Sequence, residues 1–168
     1  MACFCPSLKL SHQMDLILGI KTSMDITMGS VHHHSQLTDD QFIGQLIDTT
    51  LDPALFNHEA HLRLAWYCIN RYGIEEAINQ VTAYLSAYVA ALGATDKYNT
   101  TLTIAAVKAV YHFMQKSAFK NFSDFIASNP RLNTEFKSLL SSHYSTDIYN
   151  NPEAKVKFLE PELLPFDI

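Results

Sequence analysis

Two histidines spaced three residues apart are the side chains in this sequence best suited to chemistry. His58 and His61 lie in a segment that begins with Asp52 and Pro53 and ends with Gly73, which we predict to be one helix. At roughly 100° per residue both imidazoles fall on its apolar face, roughly 60° apart. Imidazole suits proton transfer near neutral pH and also binds metals. We therefore predict a catalytic or metal site, with His58 as general base or metal ligand and His61 as acid or second ligand.

Apolar residues spaced three and four apart predict further helices on both sides of this segment. A capping box of Thr38 and Gln41 opens a short helix, and longer ones run from Glu75 to Leu92 and from about Tyr98 to Ser117. Short helices are predicted at 123–127, 131–142 and 153–158. The predicted fold is therefore an all-α, single-domain bundle of about four to six helices over residues 37–168, ending in an extended C-terminal strap.

Short connections make successive helices of such a bundle antiparallel, so the second and fourth predicted helices begin at the same end. His58 and His61 should then lie close to Asn99 and Thr103, with the last turn of the third helix, and Tyr84 and Tyr88 as its candidates, closing over them. Buried polar groups must be satisfied by one another, by water or by a ligand. We predict that Asn99, Thr103 and Tyr88 bind a substrate.

Residues 1–36 show no sustained apolar period and are predicted to be a loose N-terminal leader. The run His32–His34 within it is compatible with native sequence or with a fragment of an expression tag. We expect it to be solvated and a poor metal site, because adjacent side chains on flexible chain are not preorganised. Cys3 and Cys5 match only a weak C-x-C metal or redox pattern, and Cys68 is expected to be a buried apolar residue.

Composition excludes several classes of function. The 168-residue chain is 48% hydrophobic with a net charge of −5, which fits one globular domain and argues against binding to nucleic acid or anionic membrane. Three cysteines do not form a disulfide framework, and no segment has the roughly 20 apolar residues needed to span a bilayer. We expect a soluble, reduced, cytoplasmic protein, and its oligomeric state is left open.

Three motifs carry a resemblance to a family. They are F-N-H-E-A-H-L at 56–62, K-Y-N-T-T-L-T at 97–103 and H-Y-S at 143–145. Together they resemble an uncharacterised family of small helical proteins with the pattern F-x-H-x-x-H-L followed by Y-H-E-T-x-T. The likeness runs from about Phe56 to Phe166 and supports the helical fold and the site, but implies no activity.

The chain departs from that family pattern at the second motif. Asn99 stands in the place of its histidine and Thr100 in the place of its glutamate. Three inward histidines would indicate a divalent metal, whereas two histidines and an amide are a poorer ligand set. Two functions therefore remain open: a small-molecule enzyme or metal-binding protein that uses the two histidines, and a non-enzymatic interaction or regulatory module whose polar cluster is structural.

Overall fold

A computed structural model describes residues 31–116 and 118–166 of the chain. The described residues form eight α-helices and three 3₁₀ turns without a strand, which confirms the predicted all-α class. Residues 1–30 of the predicted leader, including Cys3 and Cys5, lie outside the described residues. The α-helices are α1 (Asp39–Ile47), α2 (His58–Tyr72), α3 (Ile74–Ala91), α4 (Thr100–Met114), α5 (Phe122–Ser128), α6 (Pro130–Thr134), α7 (Phe136–Ser141) and α8 (Pro152–Val156).

Helix α2 begins later than its sequence signals indicate. Asp52 caps only a 3₁₀ turn, Pro53–Leu55, by accepting a hydrogen bond from the backbone of Ala54. The chain then turns at Phe56, and Asn57 caps α2 itself through its side-chain oxygen. The prediction of one continuous helix from Asp52 is therefore wrong at this end, because two capping residues compete and the nearer one starts the helix.

The core is built by α2, α3 and α4, which pack against one another. Gly73 separates α2 from α3 and Gly93 follows α3, and both have the positive φ values, 80° and 65°, that favour glycine at helix ends. Cys68 is fully buried in this core, as predicted, and burial raises the pKa of its thiol to about 12. Among the described residues, no helix combines the length and apolar character needed to cross a membrane.

Short helices make up the second half of the domain, so the described residues contain more helices than the four to six predicted. The segment expected to form one helix from 131 to 142 is broken at Glu135 into α6 and α7. Ser123 is the cap that the sequence predicts for the helix at 123–127, but Asn121 caps α5 instead, by accepting from the backbone N–H of Asp124.

The face of α2 opposite the core is also covered. Ala60 and Arg63, which helical periodicity places on an outward face, are both buried. Residues 34–37 fold back over this face as a 3₁₀ turn and its cap, and His34 is only 1% exposed. The prediction that the histidine run is solvated is therefore wrong for His34, and residues 34–36, which the sequence places in the loose leader, form a 3₁₀ turn.

The C-terminal strap, which is the described chain after α8 (157–166), is held to the start of α4 by hydrogen bonds. Thr101 donates its hydroxyl to the carbonyl of Lys157 and accepts from the backbone N–H of Leu159, at 2.8 and 3.1 Å. Farther along, Leu163 donates its backbone N–H to the carbonyl of His143 at 3.0 Å. The side chains of Leu163 and Leu164 are exposed, so the strap is attached here through its backbone.

Candidate functional site

A cavity of about 380 Å³ lies between the first turns of α2 and α4 and the middle of α3. Four of the five predicted site residues, His58, His61, Asn99 and Thr103, line it. The Asn57 and Asn99 caps fix where α2 and α4 begin, and the antiparallel connection brings those two beginnings together. The volume of the cavity falls in the range of about 300–1,000 Å³ that is usual for small-molecule pockets.

The walls of this cavity are mainly apolar. Its aliphatic lining includes Leu62, Ala65, Val81, Leu85, Leu102 and Val107. Lys97, which is exposed, is the cationic residue among the lining side chains, and no aspartate, glutamate or cysteine is among the described residues that line the cavity. The site can therefore receive an apolar group and present a few polar atoms to it.

His61 is the better anchored of the two imidazoles. Its Nδ1 lies 2.7 Å from the carbonyl oxygen of Asn57, and because a carbonyl can only accept, this nitrogen carries the proton and donates. The ring of Phe56 packs on it at 4.1 Å between centroids. Burial lowers the pKa of His61 and the charge of His58 adds to this, whereas the Asn57 carbonyl acts in the opposite direction. The neutral ring therefore keeps a lone pair on Nε2.

His58 is exposed at the edge of the cavity and is fixed from another element. Its Nε2 lies 2.9 Å from the carbonyl oxygen of Leu132 in α6, so Nε2 donates and Nδ1 keeps the lone pair of the neutral ring. Phe136 of α7 packs beside it at 4.9 Å between ring centroids. Both imidazoles thus have one nitrogen bound to backbone and one that accepts.

Asn99 and Thr103 line the cavity, but their polar atoms already have partners. The Oδ1 of Asn99 accepts from the backbone of Leu102 at 2.9 Å as the N-cap of α4, and its Nδ2 donates to the carbonyl of Ile148 at 2.8 Å. The Thr103 hydroxyl donates to the carbonyl of Asn99 at 2.8 Å. Asn99 therefore holds the wall of the cavity together, and Thr103 retains only acceptor capacity.

Tyr88 does not take the position predicted for it. The side chain is 2% exposed, and its hydroxyl donates to the carbonyl of Leu51 at 2.8 Å, while burial raises its pKa. Its ring meets Phe56 edge-on at 5.2 Å between centroids. Tyr88 therefore supports Phe56, which in turn packs on His61, and the prediction of a direct ligand contact is not supported.

Tyr98 is a cavity residue that is absent from the site predicted from the sequence. It lines the cavity, and its hydroxyl is a buried polar atom without a hydrogen-bond partner. Leaving such a group unsatisfied costs about 1–3 kcal/mol. Its place directly before the Asn99 cap, at a helix beginning already expected to face His58 and His61, is the signal that could have identified it.

The metal-binding potential of the described residues lies away from this cavity. His33, His34 and Glu59 form a group, with one ligand atom from each within 4.8 Å of the others, that could hold a metal ion. His58 and His61 are joined by no third histidine, cysteine or carboxylate among the described residues in a comparable group. Comparison of the chain with protein-family models, with curated proteins and with solved structures finds no match.

Proposed function

We propose that this protein binds a small molecule with an apolar body and a polar head in the cavity between α2, α3 and α4, and transfers a proton to or from it. The observation that carries this proposal is that two imidazoles, each with one nitrogen bound to a backbone carbonyl, line one largely apolar cavity. Binding pockets of enzymes commonly combine apolar walls with a few fixed polar groups.

His61 is the proposed general base. The lowered pKa keeps its ring neutral at neutral pH, and Nε2 is then free to accept a proton from a ligand C–H or O–H. His58, which is in contact with solvent, is the proposed acid that returns a proton. These roles reverse those expected from the sequence.

The polar head would be recognised at the edge of the cavity. Lys97, an exposed residue of the cavity lining, can pair with a carboxylate. The family resemblance remains a prediction and adds no substrate. A metal held by His58 and His61 is the weaker variant of the proposal, because water or Thr103 would have to supply the remaining ligands.

A specific observation also favours the second hypothesis, an interaction or regulatory module with a structural polar cluster. His58, His61, Asn99 and Thr103 each have a hydrogen-bond partner within the chain. Under this hypothesis, His58→Ala and His61→Ala lower the stability of the protein and change nothing else.

The two hypotheses are separated by filling the cavity. Ala106 lines it from α4, so Ala106→Leu reduces its volume, whereas Ala83→Leu adds the same atoms to an exposed position of α3. Ligand-observed NMR with benzoate, phenol, benzamide and hexanoate tests binding to both variants. We expect at least one probe to bind the native chain and the Ala83 variant and to lose binding in the Ala106 variant. In NMR spectra of the protein itself, the same probe should shift the ring signals of His61. Binding that is unaffected by Ala106→Leu contradicts the proposal.

A further inference from the structure

A second cluster of chemically capable side chains lies on the opposite face of α2 from the cavity residues. His33 and His34 reach it from the segment before α1, and Glu59 reaches it from the first turn of α2. A separate cavity of about 130 Å³ is lined there by His34, Glu59, Arg63 and Asn121, among others. None of these residues belongs to the proposed proton-transfer site.

His34 is buried without a partner. Its side chain is 1% exposed, and neither ring nitrogen has a hydrogen bond. The rings of Phe42 and Phe122 stand 6.0 and 6.4 Å from it between centroids, and its Nε2 is 3.5 Å from Oε1 of Glu59. Because buried polar atoms without partners are rare in proteins, this imidazole indicates a ligand that completes its bonding.

Two candidate ligand atoms face each other without a hydrogen bond. Nε2 of His34 and Oε1 of Glu59 are 3.5 Å apart, and neither ring nitrogen of His34 has another partner. Metal ions bind the neutral form of imidazole and the ionised form of a carboxylate.

Neighbouring groups hold these side chains in place. Oε2 of Glu59 accepts from Nδ2 of Asn133 at 2.9 Å, which leaves Oε1 for the site. Nδ1 of His33 accepts from the backbone N–H of Ser35 at 3.3 Å and lies 2.9 Å from the Ser35 hydroxyl, so these two contacts hold the ring in its orientation. The charge of Arg63 is balanced by Asp39 at 2.6 Å. Such outer contacts orient the ligands of metal sites.

From this arrangement we propose that His33, His34 and Glu59 bind one divalent transition-metal ion of the zinc class, with water completing its coordination. Bonds of about 2.0–2.2 Å place tetrahedral ligand atoms roughly 3.4 Å apart. The contact between His34 and Glu59, at 3.5 Å, already has this spacing, and the remaining pairs close from at most 4.8 Å. Two imidazoles and one carboxylate favour zinc, cobalt or nickel over calcium and magnesium, which prefer oxygen ligands.

The test uses the full chain without an added affinity tag, freed of metal by a chelator and titrated with Co²⁺ and then Zn²⁺. We expect one Co²⁺ per chain, with visible absorption of a low-coordinate site and displacement by Zn²⁺. Glu59→Gln keeps an acceptor for Asn133 but removes the charge, and we expect it and His33→Ala to weaken binding at least 10-fold. The matched control is His32→Ala, in the same histidine run, which should leave the affinity within about 2-fold. Circular dichroism of the metal-free variants verifies that the fold is retained.

Three results would overturn the proposal. The first is the absence of binding at one ion per chain. The second is equal weakening by His32→Ala and His33→Ala with no effect of Glu59→Gln, which would identify the histidine run alone as the ligand. The third is loss of the ion in His61→Ala, which would move the metal to the other cavity.

Discussion

Replacing Arg63 by leucine tests whether the segment before α1 is fastened to α2 by this one side chain. Arg63 is 6% exposed, and residues 34–39 supply the hydrogen-bond acceptors for its guanidinium. Its guanidinium donates to the carbonyl of His34 at 2.5 Å, to the carbonyl of Leu37 at 2.9 Å and to Oδ1 of Asp39 at 2.6 Å. It also lies 4.9 Å from the ring centroid of Phe42.

The expected cost follows from what the substitution leaves behind. Two buried carbonyl oxygens lose their donors at about 1–3 kcal/mol each, while Asp39, 44% exposed, recovers much of its hydration. Leucine replaces part of the lost packing against Phe42. We therefore expect the free energy of unfolding to fall by about 3 kcal/mol, most of it from the two carbonyl oxygens left without donors. At about 2–4 °C per kcal/mol, the melting temperature should fall by roughly 6–12 °C.

Urea denaturation followed by circular dichroism and by the fluorescence of Trp66 measures this change. Trp66 is the one tryptophan in the chain, is 7% exposed and packs 6.1 Å from Phe122 between ring centroids. Arg71→Leu, at an exposed position of the same helix, is the matched control and should cost less than about 0.5 kcal/mol. If Arg63→Leu costs no more than this control, the hydrogen bonds do not fasten the segment and the reasoning is refuted.

Three further predictions concern the other side of α2. Asn99→Ala removes both the cap to Leu102 and the donor to Ile148, and should lower the free energy of unfolding by about 2–3 kcal/mol in urea melts. A loss under about 1 kcal/mol would contradict the contacts described. In a chain whose other two cysteines are serine, Cys68 should react with a thiol reagent at pH 8 only after unfolding, because its pKa is raised to about 12; rapid labelling of the folded chain would argue against this. Because the pKa of His61 is lower in the folded than in the unfolded chain, its contribution to stability should be complete above about pH 6.5 and be lost as the pH falls toward the folded value. His61→Phe should flatten that part of the pH dependence, and an unchanged slope would exclude His61 as its source.

Local capping and periodicity account for what the sequence predicted well. Thr38 caps α1 with Gln41 as its capping-box partner, and Gly73 ends α2, because these signals act within one turn of chain. The start of α2 was predicted wrongly because Asp52 and Asn57 are both good caps, and the choice depends on where Phe56 finds its packing against Tyr88 and His61.

The candidate site was also predictable only in part. Helical periodicity and the antiparallel connections can be read from the sequence, and together they predict that one cavity is lined by His58, His61, Asn99 and Thr103. The burial of His34 could not be predicted, since it depends on contacts of residues 34–37 with Arg63, 29 residues from His34 along the chain. A helical wheel of α2 alone places Arg63 outward, and only the returning segment covers it.

The attachment of the strap to the first turn of α4 bears on the order in which the molecule assembles. Asn99 and Ile148 are 49 residues apart, and Thr101 and Leu159 are 58 apart, so these bonds close long loops of chain. A nascent polypeptide that has emerged only through α4 contains both imidazoles of the cavity. Asn99 in the cavity wall still lacks its hydrogen bond to the carbonyl of Ile148 at that stage. The cavity is therefore complete only after residue 148 has been synthesised.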